Sequence, residues 1–212
     1  MSRYIFLFDL DSTVTKQEIL PTISKKLGIY EKMTELTEST MRGEIPFKQS
    51  FLRRVELLKD IPVSEVSDMV SRIQLNNHLV EFIQNNRERC YIVTGNLDVW
   101  IDGLIKKIGM EKNTFCSKAI VKNDCIKDVF NIVDKNAVIS QMVLPFVAIG
   151  DGNNDAEMIE AAEIGIGYGG VRKIAPAVLA CATHAIYEEE KIQESHVKQN
   201  KTRKTTMGKR KR

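Results

Sequence analysis

Three short, unbroken apolar runs punctuate the chain, and each stops abruptly in a polar loop. Ile5-Phe6-Leu7-Phe8 gives way to Asp9-Leu10-Asp11-Ser12-Thr13. Cys90-Tyr91-Ile92-Val93 gives way to Thr94-Gly95-Asn96, and Phe146-Val147-Ala148-Ile149 to Gly150-Asp151-Gly152-Asn153-Asn154-Asp155. Runs without polar alternation are expected of strands covered on both faces, as in a parallel sheet. A helical pattern follows each, over roughly 15–27, 98–108 and 156–163. Strand, polar loop and helix, repeated three times, predict an α/β fold around a central parallel sheet.

Between the first and second units no segment reads as a strand. Helical patterns near 31–41, 47–57 and 63–73 are separated by Gly43 and Pro46 and then by Asp60 to Pro62. Residues 14–74 therefore read as a helical insertion, too long for an unstructured connection, which rarely exceeds ~12–15 residues. The stretch 114–133 alternates weakly around Lys122-Asn123-Asp124 and predicts a small hairpin. The expected division is a core of residues 1–13 and 75–190, the insertion at 14–74, and a basic, disordered tail at 191–212.

Charge changes the picture at that tail. The 212 residues carry a net charge of +3, but residues 198–212 hold eight of the 31 Lys and Arg and no acid, which leaves a body of −5. A basic tail is ordinarily solvated, with contact to nucleic acid as the alternative. The chain lacks any window near the ~18 apolar residues of a membrane span. Asp9 and Asp11 near the start, with no small-residue cleavage site after an apolar stretch, argue against a secretory signal. Cys90, Cys116, Cys125 and Cys181 form no CxxC pair, so reduced thiols in a cytoplasmic protein are expected. With only His78, His184 and His196, any metal must be held by oxygen, which favours magnesium or calcium.

Ligands of an open parallel sheet bind beyond the carboxyl ends of its strands, so the three polar loops must converge. They bring the carboxylates of Asp9, Asp11, Asp151 and Asp155, the Thr94 hydroxyl, the Asn153 and Asn154 amides, and backbone freed by Gly95 and Gly152. Clustered carboxylates repel one another, and a divalent cation resolves the repulsion. Lys135 is a candidate for a further positive charge. Asp9 and Asp11 stand two apart, so on extended backbone they face the same way. One can act as nucleophile while the other moves protons, which suits phosphate monoesters. Their uncatalysed hydrolysis is among the slowest known, and a covalent intermediate divides it into two easier steps.

These segments carry a resemblance. FDLDST, IVTGN and AIGDGNNDAEMI resemble three motifs of the haloacid dehalogenase superfamily, and Lys135 fits the remaining one. Glu18, the segment Met41-Arg42-Gly43-Glu44-Ile45-Pro46-Phe47 and the segment Arg53-Arg54-Val55-Glu56-Leu57-Leu58 are similar to the phosphoserine phosphatases of that superfamily. The resemblance implies a Rossmann-like three-layer core with an inserted helical cap, magnesium as cofactor, and hydrolysis of a small phosphorylated metabolite through an aspartyl-phosphate. O-phospho-L-serine is the first substrate to expect. It further implies Asp9 as nucleophile, Asp11 as general acid and base, and Thr94 and Lys135 as phosphoryl ligands. Magnesium would be held by Asp9, Asp11 (through its carbonyl), Asp151 and Asp155. Glu18 would meet the substrate ammonium and Arg54 its carboxylate, with Met41 and Phe47 closing over them and Gly95, Asn96 and Asn154 lining the site. Motif two of the phosphoserine phosphatases usually reads Ser-Gly-Gly; Thr94-Gly95-Asn96 keeps the hydroxyl and adds an amide. That departure bears on the exact substrate more than on the reaction type, with phosphoethanolamine or phosphocholine as other esters; transfer of the phosphoryl group to an alcohol such as homoserine is a separate alternative.

Plainer roles compete for several of these residues. A calcium loop starting at Asp9 or Asp151 fails for want of Gly and Glu at its sixth and twelfth positions. Asp155 could cap the next helix, and Glu18 could close a capping box on Thr15. Arg54 and Lys135 could be solvated, and Met41 and Phe47 simple packing. Gly165-Ile166-Gly167-Tyr168-Gly169-Gly170 matches a dinucleotide fingerprint in letters only, because Pro176 interrupts the helix that should follow.

Overall fold

The computed structural model describes residues 4–143, 145–188 and 191. Strands β1 (Ile5–Phe8), β2 (Cys90–Leu97), β3 (Thr114–Lys122), β4 (Cys125–Asn131), β5 (Phe146–Gly150), β6 (Ile164–Tyr168) and β7 (His184–Ile186) form one sheet. Their order is β4-β3-β2-β1-β5-β6-β7, with every pairing parallel except the β3–β4 hairpin. Helices α1 (Ile19–Lys26), α2 (Tyr30–Met41), α3 (Phe47–Glu56), α4 (Val63–Ser71), α5 (Asn77–Asn85), α6 (Asp98–Ile108), α7 (Lys135–Ile139), α8 (Ala156–Ala161) and α9 (Pro176–Cys181) are joined to it, with short helical turns at Leu10–Val14, Arg87–Arg89 and Asn153–Asp155. The fold is α/β, as the apolar runs predict, and Rossmann-like, as the resemblance implies.

The unbroken runs are explained by the two layers of helix. Ile5 and Leu7 of β1 point into one apolar cluster with Val138, Met158 and Val178 of α7, α8 and α9. Phe6 and Phe8 point into the other, with Leu79, Ile83, Trp100 and Leu104 of α5 and α6. β5 divides in the same way, Phe146 and Ala148 against Val147 and Ile149. Each such side chain contributes roughly 1.5–3 kcal/mol by leaving water.

Helices α1 to α4 leave and rejoin the core at one point. Thr15 and Leu75 form an isolated antiparallel bridge, and the Asn76 amide donates to the Thr13 carbonyl at 2.5 Å. The β3–β4 turn then fastens the insertion from outside. Asn123 and Asp124 both have positive φ, 52° and 59°, which suits a tight hairpin turn. The Asp124 carbonyl and carboxylate accept from the N–H groups of Val63 and Ser64, so this turn caps α4.

Several expectations need correction. The first helix starts at Ile19, not near 15, because Thr15 is drawn into the bridge with Leu75. β2 runs on through Thr94-Gly95-Asn96 to Leu97, with a register shift against β3 between Thr94 and Leu97. The hairpin is no small appendage, since β3 also pairs with β2. The Gly165–Gly170 letters, set aside as a nucleotide loop, lie in and just after strand β6, which does not read as a strand in the sequence. A side chain at Gly165 would meet the Ile159 carbonyl oxygen at 2.4 Å, so this glycine serves close packing of α8. Cys90 and Cys116 are buried while Cys125 and Cys181 are half-buried, and all four are free thiols. Of the expected tail, all but residue 191 lies outside the described residues.

Candidate active site

The register of the sheet brings the three loops together. Phe8 pairs with Ile92 on one side and Ile149 on the other, so the polar residues that begin at Asp9, Thr94 and Asp151 fall at one edge of the sheet. Asp9 continues the ladder by donating its N–H to the Ile149 carbonyl at 2.9 Å. The chain then makes one wide turn, closed by Thr15 N–H on the Leu10 carbonyl, with Ser12 at a positive φ of 61°. Asp9 and Asp11 line one cavity there.

Lys135 lies at the centre of the cluster. It opens α7, whose first turn is capped by Asp134 accepting from the N–H groups of Asn136 and Ala137. Its ammonium donates to Asp9 Oδ1 at 2.6 Å and to Asp155 Oδ1 at 2.5 Å, and all three side chains are buried. Burial alone would push the Lys135 ammonium down, but the two carboxylates outweigh it and hold it above its ordinary range. Asp155 does not cap α8. Its Oδ2 turns back to accept from the N–H groups of Asp151 and Gly152 at 3.0 and 2.8 Å, which shapes the loop instead.

Burial raises three of the acids. Asp9 is held well above the usual carboxylate range by burial and by Asp155, with Lys135 opposing. Burial pushes Asp151 up to about 7, against the pull of Arg172. It pushes Asp11 up to about 6, against Arg172 and the Ile19 N–H that donates to Asp11 Oδ1 at 2.7 Å. Carboxylate oxygens of Asp9, Asp151 and Asp155 lie within 4.8 Å of one another. Three buried carboxyl groups so close together, offering only oxygen, fit a hard divalent cation such as magnesium.

This has a consequence for stability. Between the ordinary carboxylate pKa and pH 7 the folded chain binds more protons than the unfolded one, so stability falls as pH rises. Without divalent cation, the melting temperature is expected to drop by roughly 5 °C or more between pH 5 and pH 8. With magnesium the drop should largely vanish, as calorimetry in parallel buffers would reveal.

Thr94 is buried, and its Oγ1 accepts from the N–H and side-chain amide of Asn96, both at 3.3 Å. Its hydroxyl hydrogen is left for an oxygen in the adjoining cavity of about 50 Å3. Asp9, Asp11, Asn154 and Asp155 line the same cavity at the sheet edge, and Met41, Phe47 and Arg54 line it from the insertion. Arg54 is neither solvated nor ion-paired among the described residues. It is buried, its Nε donates to the Ser50 carbonyl at 3.4 Å, and its guanidinium lies 5.8 and 5.9 Å from the Phe47 and Phe51 ring centres. Burial lowers it to about 10.

Glu18 is ion-paired with Arg172. No capping box forms, because Thr15 Oγ1 accepts from the Ser12 N–H and donates towards Leu10 and Gln17 carbonyls. The Glu18 carboxylate is held by Arg172, whose other arm grips Asp151. Sequence reasoning missed Arg172, which follows β6 and carries no motif. Asn153, named among the loop amides, takes a role the sequence did not give: its amide donates to the Thr40 and Met41 carbonyls at 2.8 Å each and ties the end of α2 to the loop after β5.

Gly95 is required by a close approach. A Cβ there would stand 2.2 Å from Phe47 Cζ, and that ring is stacked on Phe51 at 5.6 Å. Gly95→Ala should displace Phe47 at a cost of about 1–3 kcal/mol, raising KM about tenfold or more. Phe47→Ala in the Gly95→Ala background should recover part of that loss, as steady-state kinetics on the four proteins would measure.

Residues 6–160 match the haloacid dehalogenase-like hydrolase family, and the chain belongs to it. Within that family it is phosphoserine phosphatase-like. The phosphoserine phosphatase of Methanocaldococcus jannaschii is 31% identical over 181 residues, covering 78% of this chain and 85% of that protein. The one from Archaeoglobus fulgidus is also 31% identical over 78% of this chain, which spans about half (52%) of its length. A substrate-bound phosphoserine phosphatase structure superposes with a TM-score of 0.77 at 27% identity, covering 92% of this chain and 99% of that one. A phospho-aspartyl intermediate analogue of phosphoserine phosphatase gives 0.74 at 28%, covering 89% and 95%. Among the described residues no helix is long and apolar enough to cross a membrane.

Proposed function

We propose that this chain is a magnesium-dependent phosphatase of small phosphomonoesters that works through a phosphoryl group carried on Asp9, with O-phospho-L-serine as the first substrate to test. The observation that carries the reading is Lys135 bound to one oxygen of Asp9, beside a cluster of buried acids and a cavity lined by Arg54. The names of the relatives support the choice of ester.

The steps follow from the side chains. Lys135 holds Asp9 Oδ1, which leaves Oδ2 to attack phosphorus. Lys135 and the Thr94 hydroxyl receive charge that develops on the phosphoryl oxygens. Asp11 has one oxygen fixed by Ile19 and, with its pKa near 6, still keeps a share of its proton near neutrality. It gives that proton to the departing alkoxide as the ester P–O bond breaks. Asp11 then takes a proton from water as the water oxygen attacks phosphorus, and the bond to Asp9 breaks to release phosphate. Asp9 and Asp151 would hold magnesium, with Asp155 and the Asp11 carbonyl beside them. The bound ion supplies neutralisation of phosphoryl charge.

The cavity of about 50 Å3 holds only a few waters, at on the order of 10–15 Å3 each. Substrate entry therefore requires Met41 and Phe47 to move, as in other lidded sites. The test is phosphate release with and without magnesium from O-phospho-L-serine, phosphothreonine, phosphoethanolamine and phosphocholine. Magnesium-dependent release from phosphoserine is expected. Failure on every ester would overturn the reading, and a new phosphoester formed on added homoserine would make the protein a transferase.

A further inference from the structure

We propose that Arg172 sets specificity by occupying Glu18, so that the pocket reads the carboxylate of a phosphorylated acid and gains little from an α-ammonium group; this rests on the phosphatase reading above. The cavity is lined by two guanidiniums, Arg54 and Arg172, and by three carboxylates. All three carboxylates are committed to the phosphoryl end. Asp9 and Asp155 share Lys135, and Asp11 holds the Ile19 N–H and has protons to move. Beyond them the wall is Leu20, Thr37, Thr40, Met41, Phe47 and Phe51, with no acid.

Glu18 is the nearby carboxylate that an ammonium group would need, and it is not among the lining residues. Arg172 Nη1 is bound to Glu18 Oε1 while Arg172 Nε is bound to Asp151 Oδ2. The planar guanidinium spans the two acids, and this two-point grip makes it a poor leaving partner. A substrate ammonium would have to displace it and would then stand beside a released cation. A bare carboxylate meets no such obstacle, because Arg54 has no acidic partner among the described residues.

The experiment compares kcat/KM for O-phospho-L-serine and for its amino-free counterpart, 3-(phosphonooxy)propanoate, with magnesium present. The wild-type ratio should lie within about fivefold of unity, since no group in the pocket rewards the ammonium. Arg172→Gln should free Glu18 and raise the ratio in favour of phosphoserine at least about tenfold, through a lower KM for that ester. The double variant E18Q/R172Q should return the ratio to the wild-type value, which a merely structural role for Arg172 would not produce. A wild-type preference for phosphoserine of about 100-fold or more would overturn the proposal while leaving the phosphatase reading intact, and it needs no variant to fold. An unmoved ratio in folded Arg172→Gln would do the same. Hydrolysis of neither ester would remove the phosphatase reading and this proposal with it.

Discussion

Asp9→Asn is expected to abolish turnover while leaving the protein at least as stable as the parent. The substitution removes the oxygen that attacks phosphorus, and loss of a nucleophile that works as part of a unit costs at least ~10⁴-fold in kcat. Stability should not suffer, because the Asp9 carboxylate is buried and pressed by Asp155 and Asp151. Lys135 retains Asp155 as its partner. An amide of the same shape relieves that crowding without opening a cavity. Urea unfolding beside a phosphate-release assay checks both halves. Residual activity above a thousandth of the parent, or a clear loss of stability, would contradict the account.

Lys135→Met should be damaging in both respects. It removes the cation that holds Asp9 and Asp155 and leaves two buried carboxylates facing each other. Breaking a buried pair from one side destabilises by about 3–5 kcal/mol. The sign of its pH dependence follows from the acids. Once Asp9 can take a proton, part of the penalty disappears, so the loss should be smaller at pH 5 than at pH 8. Magnesium should rescue stability only in part and activity not at all, since the phosphoryl oxygens lose their ammonium donor. Unfolding curves at the two pH values, with and without the ion, measure this.

Much of the core was legible because it rests on local pattern. Ile5–Phe8, Cys90–Val93 and Phe146–Ile149 announce themselves as strands covered on both faces, and the loops that follow them converge by topology alone. The hairpin turn was legible from Asn123 and Asp124, two residues that tolerate positive φ. What escaped depended on partners remote in sequence. β6 alternates with glycine and did not read as a strand; Gly165 answers to the Ile159 carbonyl of α8, a contact no local pattern announces. Asn153 looked like one more loop amide until the end of α2 arrived above it.

The same distinction applies within the site. The positions of Asp9 and Asp11 follow from two residues of extended chain and one wide turn. Lys135 and Arg54 could be named only by resemblance, since a lone Lys or Arg in a polar stretch gives no sign of burial; both prove to be buried. Arg172 had no signal at all. It is 154 residues from Glu18 and 21 from Asp151, and only the folded sheet brings the three together.

The most direct test of the central claim follows the phosphorus atom. Purified protein with magnesium is mixed with 32P-labelled O-phospho-L-serine and quenched in acid within milliseconds, and its peptides are mapped. Transient label on the peptide carrying Asp9, absent from Asp9→Asn, is the expected result. Rapid phosphate release with no labelled peptide, or with label on another residue, would contradict it.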